Sequence, residues 1–216
     1  MKKVLYVIFV ISLSIFVSTA VFAESLNGRS IFMIDTDLAQ AGYQGFTSPT
    51  GIEAGQYVGF AIYVGRVDVL KSFNVDMTWD ADMASRYKDS GALIEEDDVT
   101  INGEEISLPE EANMLGDVTM GPGEVKEDGH YYAAYGKFTG DAVAQEDFGL
   151  LYYFVLKTSD SFSTSKALIV TAKVTIGSGG AEAPRYIGQR YFYVNSAGTD
   201  VQDSTWGEIK NQFKDF

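Results

Sequence analysis

Tyr57-Val58-Gly59-Phe60-Ala61-Ile62-Tyr63-Val64 is the stretch that decides the fold, together with Ser72-Phe73-Asn74-Val75-Asp76-Met77-Thr78-Trp79-Asp80 just after it. In the first part Val58, Phe60, Ile62 and Val64 fall on one side of an extended chain. In the second, Phe73, Val75, Met77 and Trp79 alternate with Ser72, Asn74, Asp76 and Thr78. A period of two is the signature of a strand with one buried face, because successive side chains on a pleated backbone point to opposite sides.

Moving outward, the same period returns at Tyr131–Phe138, Phe148–Lys157, Ala167–Ile176 and Tyr186–Val194. In the third of these, Leu168, Val170, Ala172, Val174 and Ile176 face one way and Ile169, Thr171, Lys173 and Thr175 the other. Lys126-Glu127-Asp128-Gly129 and Gly177-Ser178-Gly179-Gly180 separate such runs and supply turns between antiparallel strands. The 22 Gly and 13 Tyr agree with turns and half-buried strand faces. The pattern predicts an all-β, antiparallel β-sandwich.

Two segments depart from it. Residues 80–128 read as a long, acidic, strand-poor insertion holding Glu95-Glu96-Asp97-Asp98, Glu104-Glu105 and Glu110-Glu111, with a short helical turn expected near Asp82–Lys88 and a strand at Val99–Ile101. Trp206, Ile209, Phe213 and Phe216 lie near helical spacing, so a short C-terminal helix is expected over Ser204–Phe216.

At the other end, Lys2 and Lys3 precede an apolar run from Val4 to Val17, and Val21 and Ala23 stand at −3 and −1 of a cut before Glu24. This is the layout of a secretory signal peptide over residues 1–23, leaving one domain at 24–216, outside the cytoplasm and free of the membrane after cleavage. The alternative reading of the same run is an uncleaved anchor, since a spanning helix needs roughly 20 apolar residues. Cysteine is absent, which excludes disulfides and thiolate chemistry. The cleaved domain would keep 16 − 2 = 14 basic residues against 30 acidic ones, a net charge of 14 − 30 = −16. Such a domain repels phosphate backbones, so nucleic acid is excluded as a partner.

The order of the strand signals resembles a cohesin domain. IFMIDTD from Ile31, AGYQGFTSP from Ala41 and GIEAGQYVGFAIYVGRVDVLKSFNVDMTWDAD from Gly51 are similar to that family's opening half, with Trp79-Asp80 where a Tyr-Asp pair is common. Gly149–Leu156 followed by Leu168–Gly177 is similar to two of its later strands. The resemblance implies a jelly-roll sandwich of about nine strands whose role is protein recognition, chiefly of dockerin modules in secreted or cell-surface assemblies. It also implies that polar residues facing outward from the strand before the aromatic-Asp pair touch the partner. Here these are Asn74, Asp76 and Thr78.

Signals for catalysis are weak, and no catalytic residue is expected. His130 is the only histidine, which excludes a zinc site built on several imidazoles. It follows Asp128-Gly129 and reads as a surface residue at a hairpin end. Neither a G-x-S-x-G elbow nor a phosphate-cradling glycine loop occurs. No cofactor is expected. Ca²⁺ is the one metal with plausible donors, at Asp35 and Asp37, Asp80 and Asp82, or Glu95–Asp98, though none has a diagnostic spacing. Tyr131, Tyr132, Tyr135, Tyr152, Tyr153, Tyr191 and Tyr193 lie on the predicted strands, and any of them exposed on one sheet face would stack on sugars. The expected function is therefore a secreted, non-catalytic protein-binding module. A carbohydrate-binding module and a self-associating structural subunit are the alternatives.

Overall fold

The computed structural model describes residues 26–195 apart from 39, 41, 46–47, 90–98, 107–113, 117–123, 138–139 and 180–182. The strands are β1 (Ile31–Asp35), β2 (Tyr57–Gly65), β3 (Val67–Leu70), β4 (Ser72–Thr78), β5 (Ala84–Asp89), β6 (Val99–Ile101) and β7 (Glu104–Ile106). They continue with β8 (Glu124–Glu127), β9 (His130–Gly136), β10 (Val143–Gln145), β11 (Gly149–Thr158), β12 (Leu168–Gly177) and β13 (Arg185–Val194). Among the described residues there is no helix. The count exceeds the expected nine because five of the thirteen strands have only three or four residues. Residues 1–23, read as a signal peptide, and the helix expected over 204–216 lie outside the described residues.

Two sheets form the sandwich. The first has the order β5-β11-β2-β6-β7 with β1 also on β2, and the second runs β13-β12-β4-β9-β8. A short β10-β3 ribbon stands apart from both. The chain passes from the first sheet to the second and back, through β2, β4, β5, β9, β11 and β12 in turn, which is jelly-roll connectivity. The described pairing is antiparallel except at Tyr57 and Ile101, where β2 meets β6 in parallel.

The alternation read from the sequence is the alternation that folds. On β4, Phe73, Val75 and Met77 are buried and Asn74, Asp76 and Thr78 are half-buried. On β12 the five predicted inward residues are buried. Between the sheets, Phe154 of β11 is the hub of an aromatic cluster, with ring centroids 5.2 Å from Tyr131, 5.5 Å from Trp79 and 6.0 Å from Phe60. Tyr131 belongs to β9, so these contacts join the two layers.

The segment after β4 corrects the expected helical turn. Asp80 accepts the backbone N–H of Asp82 at 2.9 Å on Oδ1, and its carbonyl accepts those of Met83 and Ala84 at 3.1 and 3.2 Å. That turn reverses the chain, and residues 84–89 then pair with β11. An open strand edge offers a continuous ladder of partners, which outweighs the weak helical preference of so short a segment. The span 80–128 thus adds β5 to β8 to both sheets, and the strand expected at Val99–Ile101 forms. The β8-β9 turn packs tightly on the end of β4. Trp79 N–H donates to the Gly129 carbonyl at 2.8 Å, Gly129 has a φ of +76°, and a Cβ there would stand 2.4 Å from the Trp79 oxygen, so only glycine fits.

The outer face of the first sheet is covered by the chain itself. Ala61, Tyr63, Ile101, Tyr153 and Val155 are buried there beneath Leu38, Tyr43 and Phe148. Asp35, fully buried, anchors the cover by accepting backbone N–H bonds from Asp37 (3.0 Å), Gln44 and Gly45 (3.2 Å). Asn102, at a left-handed φ of 55°, pins the β6-β7 turn: its amide bonds both backbone groups of Gly59 (3.0 and 2.7 Å) and the Thr36 carbonyl (3.0 Å). Burial, and then the carboxylates of Asp35 and Asp37, hold the Tyr63 phenol above its ordinary 10.0.

Two outcomes are expected. Phe154→Ala removes the ring that joins the layers and lowers stability by about 3–5 kcal/mol in urea denaturation. The folded protein binds the Tyr63 proton more tightly than the unfolded chain does. That stabilisation is complete below about pH 10 and is lost as pH rises through the higher folded value. Denaturation midpoints measured across this range fall for the wild type and fall less steeply for Tyr63→Phe.

Candidate functional site

Among the described residues, the second sheet has no such cover over the outer side of its central strands. Its strand register sets out a lattice of outward side chains centred on β4. Asn74 lies between Thr175 and Ala134, Asp76 between Lys173 and Tyr132, and Thr78 between Thr171 and His130. The three residues expected from the sequence therefore share one face and one column, about 13 Å from end to end at the usual strand rise. All three are half-buried.

Within this lattice His130 Nε2 lies 2.9 Å from Asp76 Oδ1, and Nδ1 lies 3.9 Å from Glu127 Oε1. The His130 and Asp76 side chains are 29% and 35% exposed. Such a pair holds both side chains in place and presents them to a partner at little further entropic cost. The arrangement places His130 against carboxylates, where it links β9 to β4. It stands at the hairpin end expected from the sequence, as the first residue of β9. Lys173 adds an exposed cation one strand away, beside Asp76.

Four of the seven tyrosines considered for sugar stacking are buried: Tyr131, Tyr135, Tyr152 and Tyr153. Tyr132, Tyr191 and Tyr193 are half-buried and stand on the open side. Tyr186, at the start of β13, joins them and is exposed. Burial, followed by the neighbouring Tyr191, holds its phenol above the ordinary value. Membership of His130, Lys173, Thr171 and Thr175 in the same face was missed from the sequence. The outward parity of the β12 residues was legible, but not that β12 pairs with β4.

Among the described residues the Ca²⁺ donors considered do not converge. Asp35 is engaged by backbone N–H groups and Asp80 by the turn at Asp82. Among the described residues no group of three or more His, Cys, Asp or Glu stands together as a metal site, and Glu95–Asp98 lies outside them.

No family model matches the chain, and no curated protein does. Several solved structures are similar. The sixth cohesin of scaffoldin B from Acetivibrio cellulolyticus, solved in complex with a dockerin, shares 11% identity over 77% of this chain and 97% of its own, with a TM-score of 0.49. A cohesin–dockerin complex from Clostridium thermocellum, with the cohesin of OlpA, gives 11% over 76% and 96%, with a TM-score of 0.45. The seventh type I cohesin of ScaB from Pseudobacteroides cellulosolvens gives 12% over 71% and 91%, with a TM-score of 0.43. The chemistry of the open face rests on this chain's own residues.

Proposed function

We propose that this protein is an exported, non-catalytic binding module that holds a folded protein partner against the open face of its second sheet, in an extracellular or cell-surface assembly. The observation that carries the reading is the asymmetry of the two outer faces. Among the described residues, one is sealed by loops anchored on Asp35 and Asn102, while the other presents Asn74, Asp76, Thr78, His130 and Lys173 as a polar lattice. Faces of mixed polarity with fixed side chains suit protein recognition. The sequence resemblance makes a dockerin module the first partner to try. The acidic charge adds attraction for a basic partner surface.

The test is capture of partners from the secreted and surface fractions of the source organism, with and without chelator, followed by calorimetry on the partner recovered. Asn74→Ala with Asp76→Ala is expected to weaken binding at least tenfold, about 1.4 kcal/mol, without moving the thermal midpoint by more than a few degrees. Failure to recover any protein, or full affinity in the double variant, would reject the reading. Export has its own readout: the secreted protein is expected to begin at Glu24 by N-terminal sequencing.

A further inference from the structure

We propose that the β13 side of the open sheet carries a second site, a linear tyrosine strip that binds an extended, neutral, β-linked polysaccharide. This site is independent of the protein-binding reading.

The strip is built by one irregularity in an otherwise regular ladder. Lys173 of β12 pairs with Gln189, Val174 with Gly188, and Thr175 with Tyr186, so Ile187 is an extra residue in β13. A bulge of this kind re-aims the residues beyond it. Lys173 and Thr175 face outward, and the residues paired with them, Gln189 and Tyr186, share that side. Without the extra residue Tyr186 would turn inward, whereas here it stands 56% exposed and Ile187 packs against the core. The same parity puts Tyr191 and Tyr193 on the outside, opposite Thr171 and Ile169. Only three large apolar side chains are exposed among the described residues, and two of them, Ile169 and Tyr186, belong to this strip. These two mark the ends of the strip, about 20 Å apart at the usual strand rise, with Tyr193 beside Ile169 and Tyr191 between.

Shape and chemistry select the ligand. With Ile187 bulged out, Tyr186 to Tyr193 covers six steps of the ladder, about 20 Å at the usual strand rise, and with its β12 partners is two strands wide, which suits an unbranched polymer better than a compact protein anchor. The Tyr191 and Tyr193 rings lie 6.5 Å apart, inclined by 36°, so one chain can cross both. Pyranoses whose hydroxyls are equatorial present apolar C–H faces to such rings. The Gln189 amide donates to the Tyr191 hydroxyl and fixes it, and Lys173 and the threonines of β12 supply further hydrogen bonds to sugar hydroxyls. The outward positions of β12 and β13 carry no carboxylate in a chain of net charge −14, and a single lysine does not make an anion site. A neutral chain is therefore the fitting occupant. Among the described strands β13 ends its sheet, so a long polymer can run past it.

The test uses the whole protein in native affinity gels containing hydroxyethylcellulose, galactomannan or xylan, with insoluble cellulose as a fourth probe. Binding to at least one is expected. It should weaken at least tenfold in Tyr191→Ala with Tyr193→Ala, and should persist in Tyr191→Phe with Tyr193→Phe, which keep the rings. Asn74→Ala with Asp76→Ala should leave it unchanged. Circular dichroism melts verify that the variants fold. Absence of binding to all four probes overturns the proposal, as does full binding by the alanine variant. Two further results would reassign the strip and also overturn it. In one, the alanine variant loses a protein partner while the wild type ignores every glycan. In the other, light scattering shows a dimer that the variant abolishes.

Discussion

Strand β2 is apolar on both sides, and a sandwich can cover only one of them with its opposite sheet. Val58, Phe60, Ile62 and Val64 enter the main core, while Ala61 and Tyr63 are just as deeply buried on the other side. That second surface has to be covered by chain from outside the regular layers. The segment after β1 and the β6-β7 turn meet the need, and each is fastened by polar groups that find backbone partners in a place water does not reach. A carboxylate does this in one case and an amide in the other.

Asparagine is used in the same way at three places. Asn27, Asn102 and Asn195 all adopt left-handed φ values, of 61°, 55° and 57°. In each the side-chain amide acts as a stray piece of strand, offering an acceptor and a donor to a distant backbone. Asn27 bonds Asp68 and Val69, and Asn195 bonds Ile52 through both its oxygen (2.9 Å) and its nitrogen (2.7 Å). Asparagine tolerates this backbone conformation better than other residues with a Cβ, and its amide has the right pair of groups for the task. The sandwich is closed at its margins by these plugs.

What the sequence revealed follows from what period two encodes. Each of the six alternating runs became a strand, and Asn74, Asp76 and Thr78 came out on the expected side because parity along a strand is local information. Pairing between strands is not local. The lattice formed by Lys173, Asp76 and Tyr132 depends on β12 and β9 flanking β4, and no spacing announces that. The second buried side of β2 was hidden for a related reason: an unbroken apolar run satisfies an alternating pattern while also exceeding it. Tyr63 could have been recognised there, since it extends the apolar run. Residues 84–89 misled because Ala-Ser-Arg-Tyr-Lys-Asp has little preference of its own, and an available edge decided its conformation.

Closure of the sandwich by its last strands has a consequence in time. β4 lacks one of its two neighbours until β12 is present, and Asn195 fastens to Ile52 from 143 residues away. Contacts so distant along the chain bring their stabilisation only after long loops have been ordered, which places this topology among the slower folders. A nascent chain that has emerged only as far as β11 holds one sheet in outline and the other without its centre paired on both sides. Such a chain stays pliable until almost all of it is made, and its commitment to the native state comes as a late, single event.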